Sequence, residues 1–273
     1  MKILIAADME GISGVTLWDH VTLAHAEYQR FRKIMTEDVN AAIRGAFDAG
    51  ADEVIVADGH ASMANILIEQ LDPRASLNSG SPRPFSMVQG IETGVDGVFF
   101  IGYHARAGSQ NAILDHTYSS KCVANLWLND TLVGEYGLNA ALCGHFNAPV
   151  LMISGDQTAC AQATELLGPI ETAIVKVANG RFSATCLPLQ AAQEKIYQAA
   201  RRGIHNLQVG KASVYRLAEP IQVAIEYNSS DMVDRASTAP GARRVDGRRV
   251  EFTAPDMPSA YLTFRAATSL AFG

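Results

Sequence analysis

The segment ILIAADMEGISG, from Ile3 to Gly14, starts as an apolar run and then places two acidic residues one position apart. Such an apolar run is typical of a buried strand. Side chains alternate between the two faces of a strand, so Asp8 and Glu10 project to the same side. Two carboxylates this close repel each other unless a cation lies between them or one keeps its proton. The segment therefore predicts a buried strand that ends in a functional site.

The composition is that of an ordinary globular protein. The 273 residues are 48% hydrophobic and 18% charged, enough for one large domain or for a domain with a smaller lobe. The net charge of -6 contains no basic excess, which argues against a nucleic-acid partner. No apolar run is long enough for a membrane span, and the N-terminus lacks the pattern of a secretion signal. We expect no membrane association and a cytoplasmic location.

The four cysteines are scattered and form no CxxC pair. This spacing argues against a disulfide framework and against a thiolate zinc site, so reduced and partly buried thiols are expected. Any metal ligands in this chain should therefore be oxygen atoms and imidazole nitrogens.

Short apolar runs alternate with helical patterns over the first two-thirds of the chain. The predicted strands are Ile3–Ala7, Glu53–Ala57, Gly97–Gly102, Val150–Ser154 and Thr172–Val177. The predicted helices are Glu27–Ala49, Phe85–Ile91, Glu135–Phe146, Thr158–Leu167 and Leu189–Arg202. This alternation predicts an α/β fold with a mostly parallel open sheet and helices on both of its faces.

The pattern changes after about Asn206. The segments SVYRL, IQVAIEYN and RRVEFTA are typical of strands, and PSAYLTFRAATSLAF is typical of a closing helix. The sequence thus predicts an α/β domain over residues 1–205. It also predicts a smaller C-terminal α+β portion over residues 206–273, which is a candidate for subunit contacts.

Potential metal ligands follow three of the predicted strands. In open α/β sheets, ligands bind beyond the carboxyl ends of the strands. The second strand is followed by Asp58 and His60, the third by His104, and Glu135 begins a helix after the strand-like NLWLND. The full set of candidate metal ligands is Asp8, Glu10, His60, His104 and Glu135.

Each candidate also has an ordinary structural explanation. Asp58 could cap the turn that follows it or support the ligands from behind. A lone histidine after a strand is often a hydrogen-bonded turn residue, and an acidic residue at a helix N-terminus, such as Glu135, is favoured by the macrodipole. Their shared position favours convergence on one site. Two histidines, two glutamates and a bridging aspartate would suit a pair of divalent metal ions.

Five motifs carry a family resemblance. They are DMEGISG, DGHASM, PFSMVQG, GYHARAG and VGEYGLNA. Each motif alone is weak, but five in order with comparable spacing are specific. Together they resemble the bacterial D-aminopeptidase family of dinuclear zinc peptidases, from residue 2 to about residue 180, with weaker similarity to the end of the chain.

The resemblance implies a set of roles for these residues. Asp8 would bridge two zinc ions, with Glu10 and His60 completing the first site and His104 and Glu135 completing the second. His116, in NAILDHTY, would be catalytic, either as nucleophile or as general acid/base. The resemblance further implies hydrolysis of short peptides with a free N-terminal D-amino acid, and a large ring-like homo-oligomer, a decamer in the family.

Two alternatives remain open at the level of sequence. One is a related dinuclear zinc amide hydrolase that acts on amino amides or L-peptides. The other is a non-catalytic, metal-dependent peptide-binding protein, which would need the zinc ligands but not His116. A nucleotide-binding α/β protein is disfavoured, because no strand is followed by a GxGxxG or P-loop motif. Lys176 is expected to be an exposed lysine at a strand end in preference to a substrate contact.

Overall fold

The protein forms two β-sheets and seven α-helices in a computed structural model that describes residues 1–273. The strands are β1 Lys2–Ala7, β2 Glu53–Asp58, β3 Ala75–Asn78, β4 Gly97–Ile101, β5 Val123–Leu128, β6 Thr131–Val133, β7 Val150–Asp156, β8 Glu171–Gly180, β9 Ser183–Cys186, β10 Ile221–Tyr227, β11 Arg243–Arg244 and β12 Arg249–Ala254. The α-helices are α1 Trp18–Val21, α2 Tyr28–Asp48, α3 Glu135–His145, α4 Gln157–Leu167, α5 Leu189–Gln208, α6 Ser230–Ala236 and α7 Met257–Phe272.

The first sheet has seven strands in the order β3-β2-β1-β4-β7-β8-β9, and all pairs are parallel except β8 with β9. In its centre, Ala7 at the end of β1 pairs with Asp58 of β2 and with Ile101 of β4. Three neighbouring strands therefore end at the same level. The loops that follow them leave the sheet side by side, which confirms the predicted parallel α/β sheet and its convergent strand ends.

Both faces of the first sheet are covered. Ile3 and Ile5 of β1 belong to a buried cluster with α2 and α5, whereas Leu4 and Ala6 belong to a second cluster with α3, α4, α7 and the second sheet. The period-two alternation of a strand explains why neighbouring residues enter different clusters. None of the helices combines the length and apolarity that crossing a membrane would require.

Helix α2 forms because its apolar residues recur at helical spacing and face the first sheet. It ends in a Schellman motif, in which the Gly50 amide donates to the Phe47 carbonyl and the Ala51 amide to the Ala46 carbonyl. Gly50 has a φ of 100°, a left-handed conformation that glycine adopts without strain.

The second sheet is antiparallel, with five strands in the order β11-β12-β10-β5-β6. It combines β5 and β6 from the middle of the chain with three strands from the C-terminal segment. Helices α6 and α7 pack against this sheet, and α7 also contacts α3. The C-terminal residues thus add strands to the β5–β6 hairpin. The domain boundary predicted near residue 205 stays a prediction.

Two predicted elements were wrong. Phe85–Ile91 forms no α-helix but parts of two 3-10 turns, Ser86–Val88 and Ile91–Thr93, because Gly90 between them has a φ of 106°. The segment SVYRL joins no sheet. It crosses α3 so closely that a Cβ on Gly144 would lie 1.8 Å from the Tyr215 carbonyl oxygen. Extended residues that pack on a helix resemble a strand in sequence alone.

Glycine residues allow the ends of strands β1, β4 and β7 to lie close together. A Cβ added at Gly11 would lie 1.9 Å from the Tyr103 carbonyl oxygen, and one added at Gly102 would lie 2.3 Å from the Asp8 carbonyl oxygen. At Gly155 the corresponding distance to the Tyr103 carbonyl oxygen is 2.3 Å. These backbone contacts leave no room for a side chain and fix the spacing between the loops that follow the strands.

We predict that Gly11→Ala lowers the free energy of unfolding by about 2 kcal/mol or more, because its methyl group must displace backbone atoms. Urea denaturation of purified protein measures the change. Gly247→Ala is the matched control, since a Cβ there meets open space, and it should change stability by less than about 0.5 kcal/mol. Equal stability of the two variants would contradict the predicted close backbone contact.

Candidate metal centre and cleft

Six buried side chains converge beyond the carboxyl ends of β1, β2 and β4. Asp8 and Glu10 follow β1, His60 follows β2, and His104 follows β4. Glu135 is the first residue of α3, and His116 lies in the long loop between β4 and β5. The structure thus brings together all five predicted metal ligands and the predicted catalytic histidine.

The cluster divides into two halves that share Asp8. In one half, His60 Nδ1 lies 3.0 Å from Glu10 Oε2 and 3.4 Å from Asp8 Oδ1. In the other, His104 Nε2 lies 3.0 Å from Glu135 Oε1 and 3.4 Å from Asp8 Oδ2. Each oxygen of Asp8 therefore faces a different histidine, as a carboxylate between two metal ions would.

Each of the three imidazoles is oriented by a hydrogen bond to a backbone carbonyl. The bonds are His60 Nε2 to Val21 at 2.8 Å, His104 Nδ1 to Ala105 at 3.0 Å and His116 Nδ1 to Leu114 at 2.8 Å. A carbonyl can only accept, so each of these ring nitrogens donates. The opposite nitrogen of a neutral ring then presents its lone pair to the cluster, the usual arrangement of histidines that bind metals.

Asp8 is the least compensated carboxylate of the cluster. Burial and then the neighbouring Glu10 carboxylate raise the pKa of Asp8 to about 7. Asp8 Oδ2 is buried and accepts no hydrogen bond. A buried carboxylate oxygen without a partner is costly, and a bound cation would remove that cost.

The donor atoms fit zinc. One potential ligand atom from each of Asp8, Glu10 and His104 lies within 4.8 Å of the others, and the same holds for His104, His116 and Glu135. Carboxylate oxygens and imidazole nitrogens are ligand types that zinc accepts, and no cysteine belongs to either group.

His116 lies on the cleft side of the cluster. Its ring stacks on that of His104 with centroids 3.9 Å apart, and Trp18 packs edge-on at 5.6 Å. Its Nε2 is 3.4 Å from Glu135 Oε1 and 3.9 Å from Glu10 Oε1. Burial, and then the nearby His104, lower the pKa of His116.

The backbone around His116 is strained. Leu114 and Tyr118 have φ values of 50° and 62°, a left-handed conformation that costs energy in residues other than glycine. The backbone of each residue makes one hydrogen bond to a member of the cluster. The Leu114 carbonyl accepts from His116, and the Tyr118 amide donates to Glu135 Oε1 at 2.7 Å. The strained segment thus fixes two members of the cluster.

Asp58 lies outside the cluster and supports it. Its carboxylate accepts hydrogen bonds from the backbone amides of Asn65 and Ile66 and from the Asn65 side chain. The same side-chain amide donates to the His60 carbonyl at 2.7 Å. Asp58 therefore stabilises the loop that carries His60, in keeping with its expected turn or supporting role.

Lys176 differs from the expectation of an exposed strand-end lysine. Strand β8 continues to Gly180, so Lys176 lies inside it and is 1% exposed. Its Nζ donates to the carbonyls of Glu10, Ile12 and Val15 at 2.6, 2.9 and 2.8 Å. Burial lowers the pKa of Lys176 to about 8, so the ammonium keeps its three donors at neutral pH.

This contact organises the loop after β1. Three backbone carbonyls around one ammonium hold the fold of the loop that carries Glu10. The sequence contained one usable signal, the apolar run ETAIVKVA on both sides of the lysine, which indicates a position within a strand.

An open cleft of about 610 Å³ leads to the cluster. Five members of the cluster reach its surface, namely Asp8, Glu10, His60, His116 and Glu135. The remaining lining is largely apolar or hydroxylated and includes Trp18, Leu23, Met63, Tyr118, Ser119 and Phe272. A small molecule entering the cleft would therefore meet imidazoles and carboxylates at its inner end.

We predict that Lys176→Met lowers the free energy of unfolding by about 3 kcal/mol or more, because three buried carbonyls lose their donor. Urea denaturation in the presence of a chelator measures this without a metal contribution. Lys33→Met, on the exposed side of α2, is the control and should shift stability by less than about 0.5 kcal/mol. A Lys176→Met protein as stable as this control would refute the role assigned to the ammonium.

Comparison with known proteins identifies the family. The family model described as D-aminopeptidase matches residues 1–266. A D-aminopeptidase of Bacillus subtilis (strain 168) is 37% identical over 274 residues, covering 99% of this chain and 98% of the relative. The solved Zn-dependent D-aminopeptidase DppA from Bacillus subtilis, described as a self-compartmentalizing protease, superposes with a TM-score of 0.96 at 36% identity. That match covers 100% of this chain and 98% of the other. The resemblance seen in the motifs is confirmed, and the chain belongs to the D-aminopeptidase family.

Proposed function

We propose that this protein is a zinc-dependent aminopeptidase that removes the N-terminal D-amino acid from short peptides. The observation that carries the proposal is the buried cluster around Asp8, whose two halves offer zinc-type donors at the inner end of an open cleft. The family to which the chain belongs supports the same reaction.

We propose two zinc ions per subunit. Asp8 would bridge them, Glu10 and His60 would complete one site, and His104 and Glu135 would complete the other. The division of the cluster into two halves supports this assignment, since each oxygen of Asp8 faces one histidine. The carbonyls behind His60 and His104 support it as well, because they orient the rings toward the carboxylates.

Zinc, when bound, supplies a Lewis acid that polarises a peptide carbonyl and lowers the pKa of a bound water. The protein's own residues supply the proton chemistry. His116 donates through Nδ1 to the Leu114 carbonyl, which leaves Nε2 on the cleft side available to a reacting atom. We propose that His116 acts there as nucleophile or as general acid/base. Trp18 packs edge-on against the ring.

We also propose the assembly and location expected from the sequence. A ring-like homo-oligomer, a decamer as in the family, would enclose the clefts and admit only short peptides. The description of the Bacillus subtilis structure as a self-compartmentalizing protease supports enclosure. All four cysteines are free, which supports a reducing compartment such as the cytoplasm. Native mass spectrometry tests the subunit number directly.

Hydrolysis of D-Ala-D-Ala and L-Ala-L-Ala by the zinc-loaded protein tests the proposed reaction. We expect cleavage of the D-peptide, loss of cleavage on removal of zinc with a chelator, and recovery when zinc is returned. Cleavage of the L-peptide alone would keep the metal chemistry and overturn the proposed chirality. Zinc binding without cleavage of either peptide would contradict the enzyme and favour a peptide-binding protein.

We predict that His116→Ala lowers kcat at least about 100-fold, the scale of a lost acid/base or nucleophilic group. Zinc content should stay at the wild-type level, because the proposed ligand set is intact. His205→Ala, at an exposed position on α5, controls for the loss of an imidazole and should leave kcat unchanged. Wild-type kcat in His116→Ala would exclude a catalytic role for this residue.

A further inference from the structure

Lys121 is the one lysine or arginine among the residues that line the cleft. It is exposed, and it forms no salt bridge with any carboxylate of the chain. Its Nζ lies 5.0 Å from the centroid of the Phe272 ring, within the range of a cation–π contact. The cleft wall therefore presents an uncompensated positive charge.

The backbone that carries Lys121 is well anchored. Its carbonyl accepts a hydrogen bond from the Asn228 side chain at 2.8 Å. The backbone N–H of Asn228 donates to the Cys122 carbonyl at 2.9 Å. The backbone N–H of Cys122 donates to the Ser119 carbonyl at 3.3 Å. At the other end of the segment, the Tyr118 amide is bonded to Glu135. The hydrogen-bonded segment from Tyr118 to Cys122 therefore connects Lys121 to the cluster.

The charges of the cleft are separated. Three carboxylates, those of Asp8, Glu10 and Glu135, lie buried at the inner end, whereas the ammonium of Lys121 is exposed. A short unmodified peptide is a zwitterion with an ammonium group at one end and a carboxylate at the other. An aminopeptidase must bring the amino end to the reacting centre, so the carboxylate end of a short substrate points outward. The charge arrangement of the cleft matches this orientation.

We propose that Lys121 binds the terminal carboxylate of short peptide substrates and thereby selects free peptides over those with a blocked C-terminus. The inference rests on the proposed aminopeptidase function and adds a substrate class to it. Phe272 steadies the ammonium from one side, and the hydroxyls of Ser119 and Ser120 in the same wall add neutral donors. The ion pair is exposed to solvent, so its effect falls on KM more than on kcat and weakens with salt.

Steady-state kinetics with two matched substrates test the proposal. D-Ala-D-Ala carries the terminal carboxylate, and D-Ala-D-alaninamide lacks it while keeping the same scissile bond and amino terminus. The variants are Lys121→Met, which removes the charge, and Lys121→Arg, which keeps it. Lys195→Met, at an exposed position on α5, is the matched control.

We expect the wild type and the Lys195→Met control to favour the acid over the amide in kcat/KM. Lys121→Met should raise KM for the acid about threefold to tenfold, the range expected for one partly exposed ion pair, and bring the acid-to-amide ratio close to one. Lys121→Arg should restore the preference. High salt should lower the acid-to-amide ratio of kcat/KM in the wild type. The same ratio in Lys121→Met should not depend on salt.

Four outcomes would overturn the proposal. Equal kcat/KM for acid and amide in the wild type, or an unchanged ratio in Lys121→Met, would remove the role of Lys121 and leave the aminopeptidase function standing. Cleavage of neither substrate by the zinc-loaded wild type would overturn both proposals together. A loss of activity in Lys121→Met that affects acid and amide equally would indicate a structural role only.

Discussion

The repulsion among three buried carboxylates is the constraint on which the rest of this structure depends. Asp8 and Glu10 follow β1 and Glu135 begins α3, and the three meet away from water, where unpaired negative charge is costly. His60 and His104 lie against these carboxylates and offset part of that charge, yet one oxygen of Asp8 keeps no hydrogen-bond partner. An arrangement so expensive in stability is most simply understood as a site built for cations. In the proposed function, the chemistry depends on these cations and on His116, which lines the cleft together with His60.

Most of the surrounding structure holds this cluster in place. Register between β1, β2 and β4 brings their loops to one level, and Gly11 and Gly102 let the strand ends approach at backbone distance. Lys176 fixes the loop behind Glu10, and Asp58 fixes the loop behind His60. The inner end of the cleft is therefore preorganised, as electrostatic catalysis requires. In the proposed function, the exposed residues at the opening of the cleft, such as Lys121, select the peptides that bind.

The sequence predicted those features that depend on local periodicity. Asp8 and Glu10 were candidates because residues two apart share a strand face. Glu135 was a candidate only through its position alongside the other potential ligands, since an acidic residue at a helix start has an ordinary explanation. His116 needed the family motifs, since nothing local distinguishes it from other loop histidines. Features that depend on tertiary packing were not predictable in this way. Lys176 is buried only because the loop after β1 folds onto it, and the wall that carries Lys121 is irregular backbone fixed by the distant Asn228.

Zinc content per chain tests the central claim most directly. Elemental analysis of the purified protein should give about two zinc ions per chain, the number expected for a two-metal site. Asp8→Asn keeps the shape of the bridging residue and removes its charge, so it should lose zinc from both halves. Asp38→Asn alters a buried carboxylate that accepts hydrogen bonds from Ser13 outside the cluster, and it should retain the wild-type content. Wild-type protein that takes up no stoichiometric zinc, or Asp8→Asn protein with undiminished zinc, would contradict the account.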